Sequence, residues 1–109
     1  MKTKLFYLCL LFASATTAQT SISGKIVDAQ QKDLPFVNIL LLEDNNKKML
    51  SGAVTELDGS YRIEGVLPGS YLLECSMVGY QKLLSAPITV AQSAIQQPKI
   101  TMIENSAEL

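Results

Sequence analysis

The 109-residue chain contains no histidine and no tryptophan, and it has only two cysteines. Without histidine it lacks the side chain that most often acts as a general base and activates a serine or cysteine nucleophile. A phosphate-binding loop and a nucleophile motif are also missing from the sequence. These absences predict a chain without catalytic apparatus of its own and without a cofactor.

An excess of charge of one sign is also missing, because nine basic and ten acidic residues give a formal net charge of −1. The basic residues are spread along the chain and build no basic face, which excludes nucleic acid as an expected partner. Two acidic clusters, Glu43-Asp44 and Glu56 with Asp58, lack the alternating oxygen-ligand spacing of a calcium loop. They are predicted to be solvated loops, and no metal site is expected.

The longest apolar run is short and lies at the N-terminus. Lys2 and Lys4 precede the apolar segment 5–13, and small residues follow it up to Ala18. This pattern is typical of a secretory signal peptide, with Thr16 and Ala18 at the small-residue positions before the cleavage site. The run is too short for a permanent membrane anchor. Residues 1–18 are therefore predicted to be a signal peptide, with a buried N-terminal strand or helix as the alternative.

Removal of the signal peptide would take Cys9 with it and leave Cys75 alone. A single cysteine forms no intrachain disulfide, even in an oxidising compartment. Cys75 lies in an apolar strand pattern, so the sequence predicts a buried, redox-inert thiol.

Short segments of alternating polarity, separated by turn residues, recur through the rest of the chain. No window of eleven or more residues has a convincing helical period, and regularly spaced glycines and prolines argue against a long helix. The pattern predicts an all-β domain, a Greek-key β-sandwich of about seven strands. The predicted strands are 22–27, 36–42, 49–55, 60–64, 71–78, 88–90 and 99–103.

Glycines and tyrosines mark the ends of these segments. A glycine that ends a strand supplies a positive φ, and Asp-Gly is a strong hairpin signal. A tyrosine at a strand end fills the core with its ring while its hydroxyl reaches a partner at the edge. The residues predicted to build turns and core in this way are Asp58, Gly59, Tyr61, Pro68, Gly69, Tyr71, Gly79 and Tyr80.

One predicted strand, 36–42, is apolar on both faces. Phe36, Leu40 and Leu42 alternate with a second apolar set that is expected to face the core. One interpretation is a central strand partly covered by a loop. The other is that Phe36, Leu40 and Leu42 form a docking stripe for a partner domain.

Five motifs follow one another in a recognisable order. They are Gly24-Lys25-Ile26-Val27-Asp28, Leu34-Pro35-Phe36-Val37-Asn38-Ile39, the segment from Gly52 to Tyr61, Leu67-Pro68-Gly69-Ser70-Tyr71, and Val78-Gly79-Tyr80. In this order they resemble the carboxypeptidase regulatory-like domain, a transthyretin-like β-sandwich, over about residues 21–102. The family often has Asp where this chain has Glu56, and both residues suit a turn.

The resemblance implies a context as well as a fold. Such domains commonly lie between the signal peptide and the plug of TonB-dependent outer-membrane receptors. By this resemblance, residues 19–103 are the module and 104–109 a linker towards a plug and barrel that the chain does not contain. The implied role is a non-catalytic interaction or spacer module of a nutrient-transport receptor, exported to the periplasmic face of the outer membrane. The implied partner is the plug and barrel or a periplasmic protein.

Two alternatives stay open at this point. The chain is either a fragment of such a receptor or a free-standing module. It is also compatible with a carbohydrate-binding module, because many of these use a similar sandwich and bind a glycan as partner. A sugar site usually needs an exposed aromatic platform, and Phe36 and the tyrosines of residues 19–109 look mainly structural. A hydrolase of transthyretin-like fold would need histidines that this chain lacks.

Overall fold

The computed structural model describes residues 19–105. The predicted signal peptide and residues 106–109 of the predicted linker lie outside the described residues. The described part contains β-strands and no helix, which confirms the all-β prediction; it therefore offers no helical segment that could cross a membrane. The strands are β1 (Thr20–Val27), β2 (Asn38–Glu43), β3 (Met49–Val54), β4 (Ser60–Val66), β5 (Gly69–Ser76), β6 (Leu83–Leu84), β7 (Ile88–Val90), β8 (Ile95–Gln96) and β9 (Ile100–Thr101).

These strands form two sheets that pack as a sandwich. The first sheet has the order β4-β1-β8, and β9 also pairs with β1. The second has the order β3-β2-β5-β6, and β7 also pairs with β5. Strand β1 is antiparallel to β4 but parallel to β8 and β9, whereas β2 is antiparallel to both of its neighbours.

The inward-facing side chains of both sheets form one core, as the alternation of the strands requires. Fully burying an aliphatic side chain contributes about 1.5–3 kcal/mol, so this layer supplies most of the driving force for folding. Its members include Ile22, Ile26 and Ile63 from the first sheet and Ile39, Leu41, Leu73 and Cys75 from the second.

The strands differ from the prediction in two respects. Strand β2 begins at Asn38, two residues later than predicted, because a turn at Pro35 and Phe36 precedes it. Strands β6 and β8 were not predicted, since two residues are too few to show alternation. The sandwich therefore has nine strands among residues 19–105 rather than about seven.

Backbone hydrogen bonds gather four connecting segments at one end of the sandwich. Ile26 N–H donates to the Gly59 carbonyl at 2.9 Å, and Asn105 N–H donates to the Gly79 carbonyl at 2.9 Å. We call this the Phe36 end; it comprises residues 28–37, 55–59, 77–81 and 102–105. Thr20, at the start of β1, lies at the opposite end. The described chain therefore enters and leaves at opposite ends of the sandwich.

Candidate interaction surface

The turn that precedes β2 has an unusual backbone. Its residues are Leu34, Pro35, Phe36 and Val37, and the φ angle of Phe36 is 61°. Proline at the second position and a positive φ at the third are features of a type II turn. The third position usually holds glycine, because any Cβ is strained there. A bulky aromatic residue therefore occupies a place that favours glycine.

Thr55 holds this turn in place. Its side chain is almost fully buried, and its Oγ1 donates to the Leu34 carbonyl at 2.7 Å and accepts from the Val37 N–H at 2.8 Å. The backbones pair as well: Phe36 N–H donates to the Thr55 carbonyl at 3.0 Å, and Thr55 N–H donates to the Val37 carbonyl at 3.0 Å. The hydroxyl thus bridges the first and last residues of the turn, where a direct hydrogen bond commonly closes a β-turn.

The Phe36 side chain lies outside the core that its neighbours enter. Leu34 and Val37 are buried, whereas Phe36 is 62% exposed. A left-handed backbone at a residue other than glycine costs on the order of 1–3 kcal/mol, and an exposed ring recovers little of this by burial. Such strain concentrates at binding sites. Among residues 19–105, Gln31 and Lys47 also have a positive φ, but their side chains are polar. Phe36 is therefore the leading candidate for an apolar contact residue.

The structure does not bring the three residues of the predicted docking stripe together. Leu40 is half-buried and Leu42 is only 6% exposed, while Phe36 lies in the turn before the strand. Leu40 and Leu42 share the outer face of the second sheet, where Leu42 lies opposite the equally buried Leu72. The positive φ of Phe36 ends the alternation on which the predicted stripe depended. A continuous exposed stripe is not formed, and contact of these residues with a partner stays a prediction.

Exposed apolar side chains continue from Phe36 across the Phe36 end. Leu57, in the turn between β3 and β4, is 76% exposed, and Val78, after β5, is 96% exposed. Asn38 pairs with Ser76, so the segment before β2 runs beside the segment after β5. Together with the bond between the Phe36 N–H and Thr55, this places Phe36 between the turns that carry Leu57 and Val78.

The turn between β3 and β4 contains Asp58 and Gly59. An oxygen of the Asp58 carboxylate accepts hydrogen bonds from the Ser60 hydroxyl at 2.6 Å and the Ser60 N–H at 3.0 Å. These two bonds lower the pKa of the Asp58 carboxyl below its ordinary value. Gly59 has a φ of 78°, and a Cβ there would lie 2.5 Å from the Ile26 carbonyl oxygen. Only glycine suits this position.

The remaining turn residues lie at both ends of the sandwich. Leu67 and Pro68 connect β4 to β5 at the end opposite Phe36, and Gly69 begins β5. The Tyr71 hydroxyl donates to the Leu67 carbonyl at 2.6 Å. At the Phe36 end, Gly79 has a φ of 91°, and Tyr80 packs half-buried against the core. These residues shape the loops and offer no flat aromatic platform, since Tyr71 is buried.

Tyr61 fills the core directly above Gly24, its partner on β1. A Cβ at Gly24 would lie 2.6 Å from the Tyr61 hydroxyl oxygen, so the glycine makes room for the ring. The hydroxyl is buried and has no hydrogen-bond partner among residues 19–105. Burial raises the pKa of Tyr61 to about 12. The Tyr61 ring is therefore too buried to serve as a platform for a sugar.

A model of the carboxypeptidase regulatory-like domain matches residues 21–102. The chain belongs to this family. Its members are non-catalytic domains, and the match covers the whole sandwich from β1 to β9. No curated protein matches the sequence.

Solved structures share the fold of this carboxypeptidase regulatory-like domain at low sequence identity. A chain of a type II cohesin–X-dockerin complex from Acetivibrio cellulolyticus is 18% identical, with a TM-score of 0.63 over 76% of this chain and 56% of that one. Catechol 1,2-dioxygenase from Pseudomonas arvilla C-1 is 10% identical, with a TM-score of 0.65 over 88% and 55%. BcpA, the major pilin subunit of Bacillus cereus, is 16% identical, with a TM-score of 0.64 over 81% and 31%. The chain thus spans less than two thirds of each of these proteins, and the likeness concerns the fold alone.

The one cysteine of the described domain is buried, which confirms its predicted placement. Cys75 lies on the core face of β5. Burial, followed by the nearby charge of Glu74, raises the pKa of its thiol to about 11. The thiol is therefore neutral at physiological pH and a poor nucleophile. Residues 19–105 also contain no group of three or more acidic or cysteine side chains that could hold a metal ion.

The sequence places Thr55 at the end of a predicted strand but does not predict its role in the turn. Its role depends on contacts with Leu34 and Val37, 21 and 18 positions earlier in the chain. The one signal available was Pro35 followed by a residue other than glycine. That pattern indicates a turn but does not show what holds the turn together.

Proposed function

We propose that this domain is a non-catalytic interaction or spacer module on the periplasmic side of a TonB-dependent outer-membrane receptor. In this role it contributes to nutrient transport only through the receptor. The proposal draws on the resemblance of the ordered motifs to the domains found ahead of receptor plugs, and on the predicted signal peptide before them.

The path of the chain is the observation that carries the proposal. Strand β1 begins at Thr20, and β9 runs parallel to the last residues of β1, pairing Ile26 with Ile100 and Val27 with Thr101. The chain then crosses the Phe36 end and reaches Asn105 beside Gly79. A domain entered at one end and left at the other separates the segments on either side of it. This geometry suits a module inserted in line between an N-terminus and a following domain.

Deletion of residues 21–102 from the full-length receptor tests the proposal. We expect the outer-membrane level of the receptor to stay unchanged, because a sandwich of this size folds independently. We expect growth on the imported nutrient to fall. Receptor levels are measured by quantitative immunoblotting of membrane fractions, and uptake by growth on that nutrient as sole source.

A matched variant distinguishes a spacer role from an interaction role. In it, a flexible Gly/Ser linker that reaches across the same span replaces residues 21–102. Restored growth identifies a spacer, whereas growth as poor as in the deletion strain identifies a contact. If the deletion strain equals wild type in both insertion and uptake, the module contributes nothing to the receptor and the proposal is wrong.

Export is tested separately from transport. Cleavage after Ala18 produces a mature chain that begins at Gln19, and intact-mass spectrometry of envelope protein measures it directly. A chain in that fraction that still carries residues 1–18 would contradict the signal peptide and the periplasmic location.

A further inference from the structure

We propose that the Phe36 end is a docking surface for a folded protein that offers an apolar pocket rimmed by Lys and Arg, with Phe36 as the side chain that enters the pocket. This inference deepens the interaction role proposed above and rests on it. It specifies which end of the sandwich makes the contact and the chemistry of what it meets.

The strain at Phe36 is not explained by contacts inside the domain. Its backbone occupies the left-handed region at a φ of 61°, and Thr55 holds it there through four hydrogen bonds to the turn. A glycine would occupy the same turn without the strain. Phenylalanine adds a ring that is 62% exposed and therefore contributes little to the core of the domain. The rigid turn instead presents an aromatic side chain to the outside.

Exposed apolar side chains surround Phe36. Leu57 and Val78 are 76% and 96% exposed, and the turns that carry them flank Phe36. Ile103, in the segment that leaves β9, is 46% exposed at the same end. Aromatic anchors flanked by aliphatic contacts are typical of the centre of protein interfaces. Aliphatic neighbours donate no hydrogen bonds to sugar hydroxyls, so this surround favours a protein over a glycan.

The charge of the Phe36 end specifies the charge expected at the rim of the partner's pocket. The Phe36 end carries more acidic than basic side chains: Asp28, Asp33, Glu56, Asp58 and Glu104 against Lys32. Lys25 is already paired with Asp33 at 3.2 Å. Complementary charge around an apolar centre steers association and suppresses wrong partners. A second copy of this domain would oppose acid to acid, so the complementary partner is a different, basic surface.

The outer face of the second sheet is the weaker candidate. Leu84 and Met49 are about half exposed on it, but the Glu74–Lys82 ion pair at 3.6 Å lies across the face. Its most apolar members, Leu42 and Leu72, are already buried. No residue other than glycine in its strands has a positive φ, and the charges of Glu74 and Lys82 cancel.

The test is site-specific photocrosslinking in cells that express the full-length protein. Phe36→p-benzoylphenylalanine puts a photoreactive ring at the proposed contact, and Leu67→p-benzoylphenylalanine puts one at the opposite end as the matched control. We expect an adduct with one protein at position 36 and none at position 67. Peptide mapping should place the adduct in a surface that contains Lys or Arg. The absence of an adduct at position 36, the same adduct at both positions, or an adduct with glycan would each overturn the proposal.

The crosslinked protein, once purified, is then titrated against variants of the domain. We expect Phe36→Gly to weaken the Kd at least tenfold, while Leu67→Ala leaves it unchanged. Glu56→Gln combined with Glu104→Gln should weaken it about threefold and reduce its dependence on salt. Because glycine relieves the strain of the turn, Phe36→Gly should keep the wild-type circular dichroism spectrum and have a thermal midpoint no lower than that of the wild type. Equal affinity of Phe36→Gly and wild type would overturn the proposal.

Failure of the proposed docking surface can be distinguished from failure of the proposed receptor role. If the crosslinking arms fail while deletion of residues 21–102 still impairs uptake, the docking surface is wrong and the module role stands. If the deletion has no effect either, both are wrong.

Discussion

At the scale of single residues, two buried tyrosines make opposite use of their hydroxyls. The Tyr71 hydroxyl donates to the Leu67 carbonyl at 2.6 Å, whereas the Tyr61 hydroxyl lies over Gly24 without a partner among residues 19–105. Both rings are more than nine-tenths buried. An unpaired buried polar group costs about 1–3 kcal/mol, and a paired one contributes about 1 kcal/mol. The same chemical change should therefore have opposite effects at the two positions.

We expect Tyr61→Phe to raise the free energy of unfolding by about 1 kcal/mol, because it removes a hydroxyl that was desolvated without compensation. The matched variant Tyr71→Phe should lower it by about 1 kcal/mol, because the Leu67 carbonyl loses its donor. Urea unfolding of the mature domain, followed by circular dichroism, measures both values. A loss in Tyr61→Phe as large as that in Tyr71→Phe would mean that the Tyr61 hydroxyl is hydrogen-bonded in solution.

The same burial makes the domain sensitive to alkali. The pKa of Cys75 is raised from 9.0 to about 11 and that of Tyr61 from 10.0 to about 12. Between the unfolded and folded pKa of each group, the unfolded chain loses its proton while the folded chain keeps it. The contribution of these two groups to stability is therefore complete below about pH 9 and is lost as pH rises towards 12. Cys75→Ala should reduce the loss of unfolding free energy between pH 9 and 11, and Tyr61→Phe should reduce the loss between pH 10 and 12. Urea unfolding at a series of pH values measures both. An unchanged pH dependence in the two variants would contradict the assignment.

At the scale of elements, long strands could be predicted from the sequence and the start of β2 could not. Strands β1 and β5 have eight residues each, enough for alternation to show. The beginning of β2 is decided instead by Thr55, which lies far from the Pro35-Phe36 turn in sequence. Alternation is a local signal and contains no information about such a contact. The residues of the predicted docking stripe are therefore not contiguous, because Phe36 lies in a turn and Leu42 in a packed strand.

The Thr55 bridge leads to a prediction about this turn. Thr55→Val keeps the shape of the side chain but leaves the buried Val37 N–H and the Leu34 carbonyl without their partner. We expect it to lower the free energy of unfolding by about 2 kcal/mol. Thr55→Ser keeps the hydroxyl and loses one methyl, so it should cost about 1 kcal/mol or less. Chemical unfolding of both variants is the measurement, and a larger loss in Thr55→Ser than in Thr55→Val would show that packing rather than the bridge holds the turn.

At the scale of the whole molecule, the family and the fold could be predicted from the ordered turn motifs. The pattern of exposed apolar side chains on the surface could not. Motifs such as Asp58-Gly59 fix the backbone at turns, and turns at regular spacing constrain the sandwich. Which apolar side chains remain exposed depends on how the connecting segments meet at each end. Leu57 and Val78 come together with Phe36 only through pairing between strands distant in sequence. Local patterning therefore contained the core and turns such as Asp58-Gly59, but not the Pro35-Phe36 turn or the apolar surface of the Phe36 end.

The last prediction follows from the path of the described chain, which enters and leaves the sandwich at opposite ends. The stretch from Thr20 to Val27 is seven strand steps, or about 23 Å at roughly 3.3 Å each, and Asn105 lies beyond the Val27 end. Pulsed electron paramagnetic resonance should therefore measure a distance of about 25 Å or more between spin labels at positions 19 and 105. Labels at positions 19 and 67 are the control, because Thr20 pairs with Val66 and both sites share one end. Buried Cys75 should not compete for the label while the domain is folded. A separation between positions 19 and 105 as short as in the control would mean that the chain enters and leaves on the same side, and a module with that path could not hold its flanking segments apart.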